Sequence, residues 1–592
     1  MLLDAFEIIR LVVGIILITI PGFLWSYIFS KQFTFFERII FGIILSLGFL
    51  TSSIYILNIN FNIKINSTLT FIIYLVYTIP VVIIYIFSIY KFGFPKIDIK
   101  KLNNKKIILF GILIFSFVIG FLPHFLNNHY LPFHVDEWIH WSYTNAVFTS
   151  GQTSFVDPYI GKGIISSPEI GFHLLTASIK WISGSSLQTI FLFMPSIIGV
   201  LITLTAFNVG ERSKRRFGLE AAFLIIFVPT TVRYLGPKFY VPVAVGLFLF
   251  IFIIWLTQNE KIHGSILFFP LIFFIFIIHP VTALASILVI FLYSMFLLLE
   301  KKVKIAVFNI LFSILPILII LILATRWDYF IDRFIETLQG MEFVSKLPHI
   351  WITFEHLGIL TWALFIFGVY FAFSKGDSIK KTLSTSAILF LIIIGLYSLY
   401  SFGFPVVYDR SFLYLFILVT LIAGIGLSEI RKIKIKISDF KILKESQIKK
   451  LKLSVLIPII LCILIIGIGL FSQSSIEYYK LINEKEYNDF VWIKDNINNY
   501  GDENHTFNRA AIAPSKASAF SAITGLYIIS SNVNPLYGYQ LSGEMQEFLI
   551  NKCFDTGFMQ KYQISIVYGN CNNSNLTKIY DKVYIYPGLF EK

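Results

Sequence analysis

The chain has 592 residues, of which 56% are hydrophobic and only 14% charged, with a formal net charge of +14. A soluble globular chain carries about a quarter charged residues, so this composition excludes a water-soluble domain and points to a polytopic α-helical membrane protein. The basic excess alone would suit a nucleic-acid binder, but its placement along the chain excludes that partner.

Apolar runs long enough to cross about 30 Å of hydrocarbon as helices recur from the N-terminus onward. Fourteen spans are predicted, at 8–29, 39–57, 69–90, 107–126, 188–209, 218–234, 239–257, 265–279, 281–299, 305–324, 356–373, 383–402, 411–429 and 453–472. The first run has neither a basic stretch before it nor a small-residue cleavage site after it, and reads as a retained span rather than a signal peptide. The positive-inside rule then assigns the loops 31–38, 91–106, 211–216, 258–264, 300–304, 375–381 and 431–452 to the cytoplasm. These loops hold 28 of the 48 lysines and arginines, so the basic excess is an orientation signal facing anionic headgroups.

Between the fourth and fifth spans lies a long outer loop, 127–187. Its segment 169–184, "EIGFHLLTASIKWISG", is apolar but carries Glu169, His173 and Lys180. Counted as a span, it would send "ERSKRR" at 211–216 outside, so it is read as an amphipathic helix at the interface. Residues 1–472 thus form a transmembrane domain. The remainder, 473–592, is charged and asparagine-rich, with helical pieces before alternating runs such as "YQISIVYG", and is expected to be an extracytoplasmic α/β or α+β domain. Cys553 and Cys571 lie in it and are able to pair there. Four Asn-x-Ser/Thr triplets, at Asn66, Asn504, Asn572 and Asn575, all fall on the outer side. Abundant isoleucine, lysine and asparagine suggest an AT-rich prokaryotic genome, archaeal or bacterial.

The outer loop opens with "LPFHVDEWIHWSY", residues 131–143. On a helix, Asp136, Glu137 and His140 share one end of a face. A partly dehydrated acid is costly unless paired or functional, and burial tunes it towards general-base work. Adjacent carboxylates at Asp136 and Glu137 also offer hard oxygen ligands for a divalent cation, magnesium or manganese. The bland alternative is a solvated helix start. His134 belongs to the same stretch. Other outer-side features are Arg233 and Lys238 between spans, His279 at a break in an apolar run, Arg410 at the start of the thirteenth span, and the polar loop 325–355. Cations at helix ends commonly snorkel, but arginine is also the best fixed partner for a phosphate.

These features together resemble the GT-C-fold integral-membrane glycosyltransferases, which include protein O-mannosyltransferases and the aminoarabinose transferases of lipid A. "HVDEW" is similar to the "HPDE" form of the mannosyltransferase motif, and "SPEIGFHLLTASIKWISG" follows it as the family's interfacial helix does. The resemblance implies a GT-C-like fold of about fourteen transmembrane helices and inverting transfer of a sugar from a polyprenyl-phosphate donor. The acceptor would be a hydroxyl on a protein, lipid or glycan at the outer face. It maps the family's loop acid onto Asp136 as general base, with Glu137 in acceptor or metal binding. His140 and His134 enter the site on spacing alone. Arg410, then Lys238 and Arg233, are the candidates for holding lipid phosphate, with His279 beside them.

Two departures stand out. The acidic loop follows the fourth span, where the family usually has it after the first. The "WWDYG" signature of single-subunit oligosaccharyltransferases is absent, which favours single-sugar addition. A polyprenyl-linked polysaccharide polymerase or ligase remains an alternative, and a secondary transporter a further one.

Overall fold

A computed structural model describes residues 5–30, 32–92, 104–231, 234–259, 265–323, 352–403, 405–432, 453–474, 478, 480–497, 509–530 and 538–587. Arg233 and most of loop 325–355 lie outside the described residues, as do parts of the basic loops 91–106, 258–264 and 431–452.

The N-terminal part runs α1 (Ala5–Phe29), α2 (Phe35–Phe61), α3 (Ser67–Phe92) and α4 (Asn104–Leu126). The outer loop follows as α5 (Val135–Ser150), a hairpin of β1 (Ser154–Val156) and β2 (Ile164–Ser166), and α6 (Ile170–Ser183). Then come α7 (Leu187–Arg212), α8 (Gly218–Ile225), α9 (Pro242–Thr257), α10 (Phe268–Ile278), α11 (Pro280–Leu299) and α12 (Val303–Leu323). The bundle closes with α13 (Ile352–Lys375), α14 (Ser378–Tyr400), α15 (Pro405–Lys432) and α16 (Leu453–Ser474). Among the described residues nine helices are long and apolar enough to cross a membrane, and four more apolar helices are shorter.

A helix stands at each of the fourteen predicted span positions, with one altered in kind. The span predicted at 218–234 is helical only to Ile225. The described residues beyond it, which include Pro229, Gly236 and Pro237, are irregular up to Pro242, which opens α9. Prolines lack the N–H a helix interior needs, so apolar composition here codes a packed turn rather than a continuous helix. The segment predicted at 169–184 is a helix with nearly those bounds. Its residues from Ile170 to Ile179 are all buried, against α1, α2 and α5, so it packs as part of the body.

The sides of the bundle fit a hydrocarbon surround. α3 leaves Ile72, Val76, Ile83 and Phe87 exposed, which has no soluble rationale. α15 lies buried at the centre, clasped by α13, α14 and α8. At one end of the bundle the basic loops are tied together by ion pairs. Arg212 meets Glu37, Arg431 meets Glu220 at 2.7 Å, and Arg215 meets Glu429 at 3.5 Å. The loops that the charge rule placed on one side therefore converge on one face.

The C-terminal part is a small mixed domain. Its helices are α17 (Glu484–Asn496), α18 (Ala517–Thr524), α19 (Gly538–Ile550) and α20 (Thr556–Tyr562). Its strands are β3 (Arg509–Ala511), β4 (Tyr527–Ile528), β5 (Ile566–Tyr568), β6 (Thr577–Tyr580) and β7 (Val583–Ile585), in the order β4-β3-β5-β7-β6. β3 pairs in parallel with β4 and β5, whereas β7 runs antiparallel to β5 and β6. Cys553 and Cys571 form a disulfide.

This domain is seated on the loop after α5. Asn145 Nδ2 donates to Ala522 O at 2.8 Å, Ser521 Oγ to Pro158 O at 2.8 Å, and Ile528 N to Tyr159 O at 2.8 Å. Gly161 (φ +71°) lies under the Tyr527 ring, where a Cβ would approach within 2.5 Å. Phe490, Phe520 and Ile566 of the domain share one apolar cluster with the transmembrane body. The domain is thus packed onto the bundle.

Candidate active site

The acidic stretch becomes the start of α5, and that start separates its two acids. His134 is the N-cap, its Nδ1 accepting from Asp136 N at 3.0 Å. This fixes Nδ1 as an acceptor. Glu137 turns back into the protein. Its Oε2 accepts from Phe133 N at 3.0 Å and His134 N at 3.1 Å, and its Oε1 accepts from Tyr240 N at 2.9 Å. Burial pushes this carboxyl up to about 7, while the three N–H groups pull the other way. Glu137 is therefore a cap and a cross-link to the turn before α9. Asp136 projects the other way, its side chain 31% exposed and Oδ1 3.8 Å from His134 Nδ1.

Facing Asp136 is a residue that the sequence had placed only on an interfacial helix. Glu169, the N-cap of α6, holds its carboxyl between two imidazoles. Oε2 is 3.8 Å from His140 Nε2 and Oε1 is 3.5 Å from His279 Nε2. His279 is the N-cap of α11, and its Nδ1 accepts from Thr282 N at 3.2 Å. Its ring proton therefore sits on Nε2 and points at Glu169. Thr282 Oγ1 in turn lies 2.7 Å from the Tyr414 hydroxyl of α15. His173 stacks beside His140 with ring centroids 5.3 Å apart.

Burial dominates the electrostatics. It raises the Glu169 carboxyl to about 8, against the lowering influence of Arg410, and lowers the His140 imidazolium well below its usual range. The Glu169–His140 contact is thus made by neutral groups at neutral pH. The Arg410 charge acts on Glu169 and His140, and the Asp136 charge also acts on Glu169. Arg410 is largely buried and has Asp409 Oδ2 at 3.7 Å. With Glu169 protonated, the cation is not cancelled from that side.

Asp136, His134, His140, His279 and Arg410 are therefore brought together, with Glu169 at their centre. Glu137 adjoins the cluster but faces away. Lys238 also fails to join it. Its neighbours Phe239 and Tyr240 touch His134 and Glu137, but its own ammonium is buried with no hydrogen-bond partner. Burial alone lowers it to about 7. Glu169 carried a weak signal, a lone acid opening an apolar helix, but its two histidine neighbours come from α5 and from the α10–α11 junction.

Asp136 and Glu137 do not face a common cation, because Glu137 turns inward onto three backbone N–H groups while Asp136 projects the other way. Among the described residues no group of three or more histidine, cysteine or acidic side chains is arranged to hold a metal.

No family profile and no curated protein matches the chain. Solved structures do match in fold. The archaeal oligosaccharyltransferase AglB of Archaeoglobus fulgidus, in complex with an inhibitory peptide and a dolichol-phosphate, aligns at a TM-score of 0.51 and 13% identity, over 78% of this chain and 69% of that one. The same enzyme tethered to an acceptor peptide containing an NVT sequon aligns at 0.50 and 12% identity, again over 78% and 69%. Its apo form gives 0.50 and 12%, over 78% and 70%. The chain has the GT-C membrane fold of these structures, as the acidic outer loop and its following helix implied.

Proposed function

We propose that the protein is a glycosyltransferase that moves a sugar from a polyprenyl-phosphate-linked donor to an acceptor on the outer face of the membrane. The observation that carries this reading is the pairing, in a GT-C fold, of one open carboxylate, Asp136, with one largely buried cation, Arg410, across the neutral Glu169. A donor needs a fixed positive charge at its phosphate and a base near its anomeric carbon, and this cluster supplies both.

In the proposed step Arg410 holds the donor phosphate through its planar fork. Asp136 takes the proton of the acceptor hydroxyl as its oxygen bonds to the anomeric carbon. The anomeric C–O bond to phosphate breaks, polyprenyl phosphate leaves with the electron pair, and the configuration inverts. Charge stabilisation at the leaving phosphate is expected to be the largest contribution. His134, by accepting from Asp136 N, positions the base. Glu169 and His279 form the polar floor under it.

The basic loops converging at the opposite end support a cytoplasmic assignment for that face, and hence an outer site and an extracytoplasmic C-terminal domain. Acceptor choice is assigned to that domain. Single-sugar addition is the favoured reading, from the missing "WWDYG". Transfer of a preassembled oligosaccharide is the second, favoured by the fold neighbours. Purified protein in liposomes, given defined polyprenyl-phosphate sugars and lipid-linked oligosaccharides, tests both. Loss of donor that Asp136→Asn abolishes supports the reading, and the product mass separates the two forms. No turnover of any such donor, or turnover that Asp136→Asn leaves intact, defeats it.

A further inference from the structure

The four Asn-x-Ser/Thr triplets are not equivalent in the structure. Asn66 spends its carboxamide oxygen accepting from Leu69 N at 2.8 Å, at the start of α3. Asn504 lies outside the described residues. Asn572 and Asn575 share the turn that follows the disulfide-bonded Cys571 and leads into β6.

Within this turn the Asn575-Leu576-Thr577 triplet has a specific geometry. Leu576 is buried in the domain's own apolar cluster, while Asn575 and Thr577 are exposed. Asn575 sits in a tight turn closed by Leu576 N donating to Asn573 O at 3.1 Å, and β6 begins at Thr577, so leucine anchors the backbone between two exposed polar residues. The backbone is held from the other side too. Asn573 Oδ1 accepts from Asn575 N at 2.9 Å, and its Nδ2 donates to Cys553 O at 2.6 Å. β6 is the outermost strand of the sheet, paired with β7 on one side only. The Cys553–Cys571 disulfide requires an oxidising compartment, the setting in which lipid-linked saccharides meet exported chains.

We infer that Asn575 is a modification site carrying an N-linked saccharide. This rests on the proposed extracytoplasmic placement of the C-terminal domain. The reaction joins the Asn575 carboxamide nitrogen to the anomeric carbon of a lipid-linked saccharide. The anomeric C–O bond to phosphate breaks, the lipid phosphate leaves with the electron pair, and a carboxamide proton passes to the base of the transferase. The exposed Thr577 hydroxyl is the recognition element, as in other Asn-x-Ser/Thr acceptors.

The test is glycopeptide mass spectrometry on the full chain isolated from the membranes of cells that naturally make it. The peptide containing Asn575 is expected to carry a saccharide mass that Thr577→Ala removes and Thr577→Ser retains. An unmodified Asn575 peptide in protein whose Cys553–Cys571 bond is oxidised overturns the inference and leaves the domain's placement standing. An unmodified peptide together with free thiols, and a domain shielded from protease added outside the cells, overturns it through that placement instead.

Discussion

The backbone N–H of Tyr240 donates to Glu137 Oε1 at 2.9 Å, and this one bond divides the labour of two adjacent acids. It ties the start of α5 to the turn before α9, leaving Asp136 as the carboxylate that faces the cluster. The division yields opposite expectations for the two side chains. Asp136→Asn is expected to lower glycosyl transfer about 100-fold or more, the usual scale of general-base loss, with unchanged thermal unfolding in detergent. Glu137→Gln presents an NH₂ group to backbone donors and is expected to destabilise by about 1–3 kcal/mol. Equal loss of stability in both variants would contradict the division.

Arg410 is assigned to the donor phosphate. Its replacement by alanine should raise the donor KM about 10–100-fold, the equivalent of one charge-assisted hydrogen bond. Lysine restores the charge without the planar fork, so Arg410→Lys should recover only part of the affinity. Titrations with polyprenyl-phosphate sugars of fixed chain length measure this. A KM unchanged in the alanine variant would remove Arg410 from the site.

Glu169, raised to about 8, holds its proton in the folded state across a range in which the unfolded chain has released it. Unfolding therefore releases a proton between roughly pH 4.5 and 8, and stability falls as pH rises through that window. Glu169→Gln removes the titration, so its melting temperature should decline less over the same range. A melting curve series from pH 5 to 8.5 compares the two proteins. Parallel curves would refute burial as the cause.

Lys238 has the opposite sign. Its ammonium is lowered to about 7 by burial, so above that pH the unfolded chain binds the extra proton and stability rises with pH towards the usual lysine range. Lys238→Met replaces an unpartnered buried cation with an apolar chain of similar length. It should stabilise by an amount on the order of 1 kcal/mol at pH 6, and by less at pH 9. Donor turnover should persist in the variant. A lost donor affinity would return Lys238 to the phosphate site where the sequence had put it.

Gly161 combines a positive φ with a Tyr527 ring 2.5 Å from any added Cβ. Gly161→Ala should loosen the C-terminal domain from its seat and leave the bundle folded. Faster proteolytic release of a fragment beginning near residue 473, with unchanged near-ultraviolet signal from the bundle tryptophans, is the expected outcome.

The bundle was largely legible because hydrocarbon leaves a strong mark. Apolar runs, interrupted by basic loops, fix the positions of helices with little need for tertiary information. The segment 226–241 was not, since an apolar composition reads the same in a helix and in a packed turn, and only the spacing of Pro229, Gly236 and Pro237 hinted at the difference. The acidic stretch was visible as a pair, but spacing gave no reason to expect Glu137 to face inward. Glu169 was hidden for a related reason. Its role depends on His279 arriving from a helix junction 110 residues away in sequence, which no local pattern encodes.

The seat of the C-terminal domain is made from Ser521 Oγ, Ala522 O and Ile528 N on the domain side, meeting Pro158 O, Asn145 Nδ2 and Tyr159 O of the bundle. Ser521, Ala522 and Ile528 are all buried, away from the domain's outward surface. A lineage that rewrites the domain's outward surface therefore risks little of its attachment. The same bundle, with its reaction chemistry untouched, is free to be dressed with faces for different acceptors.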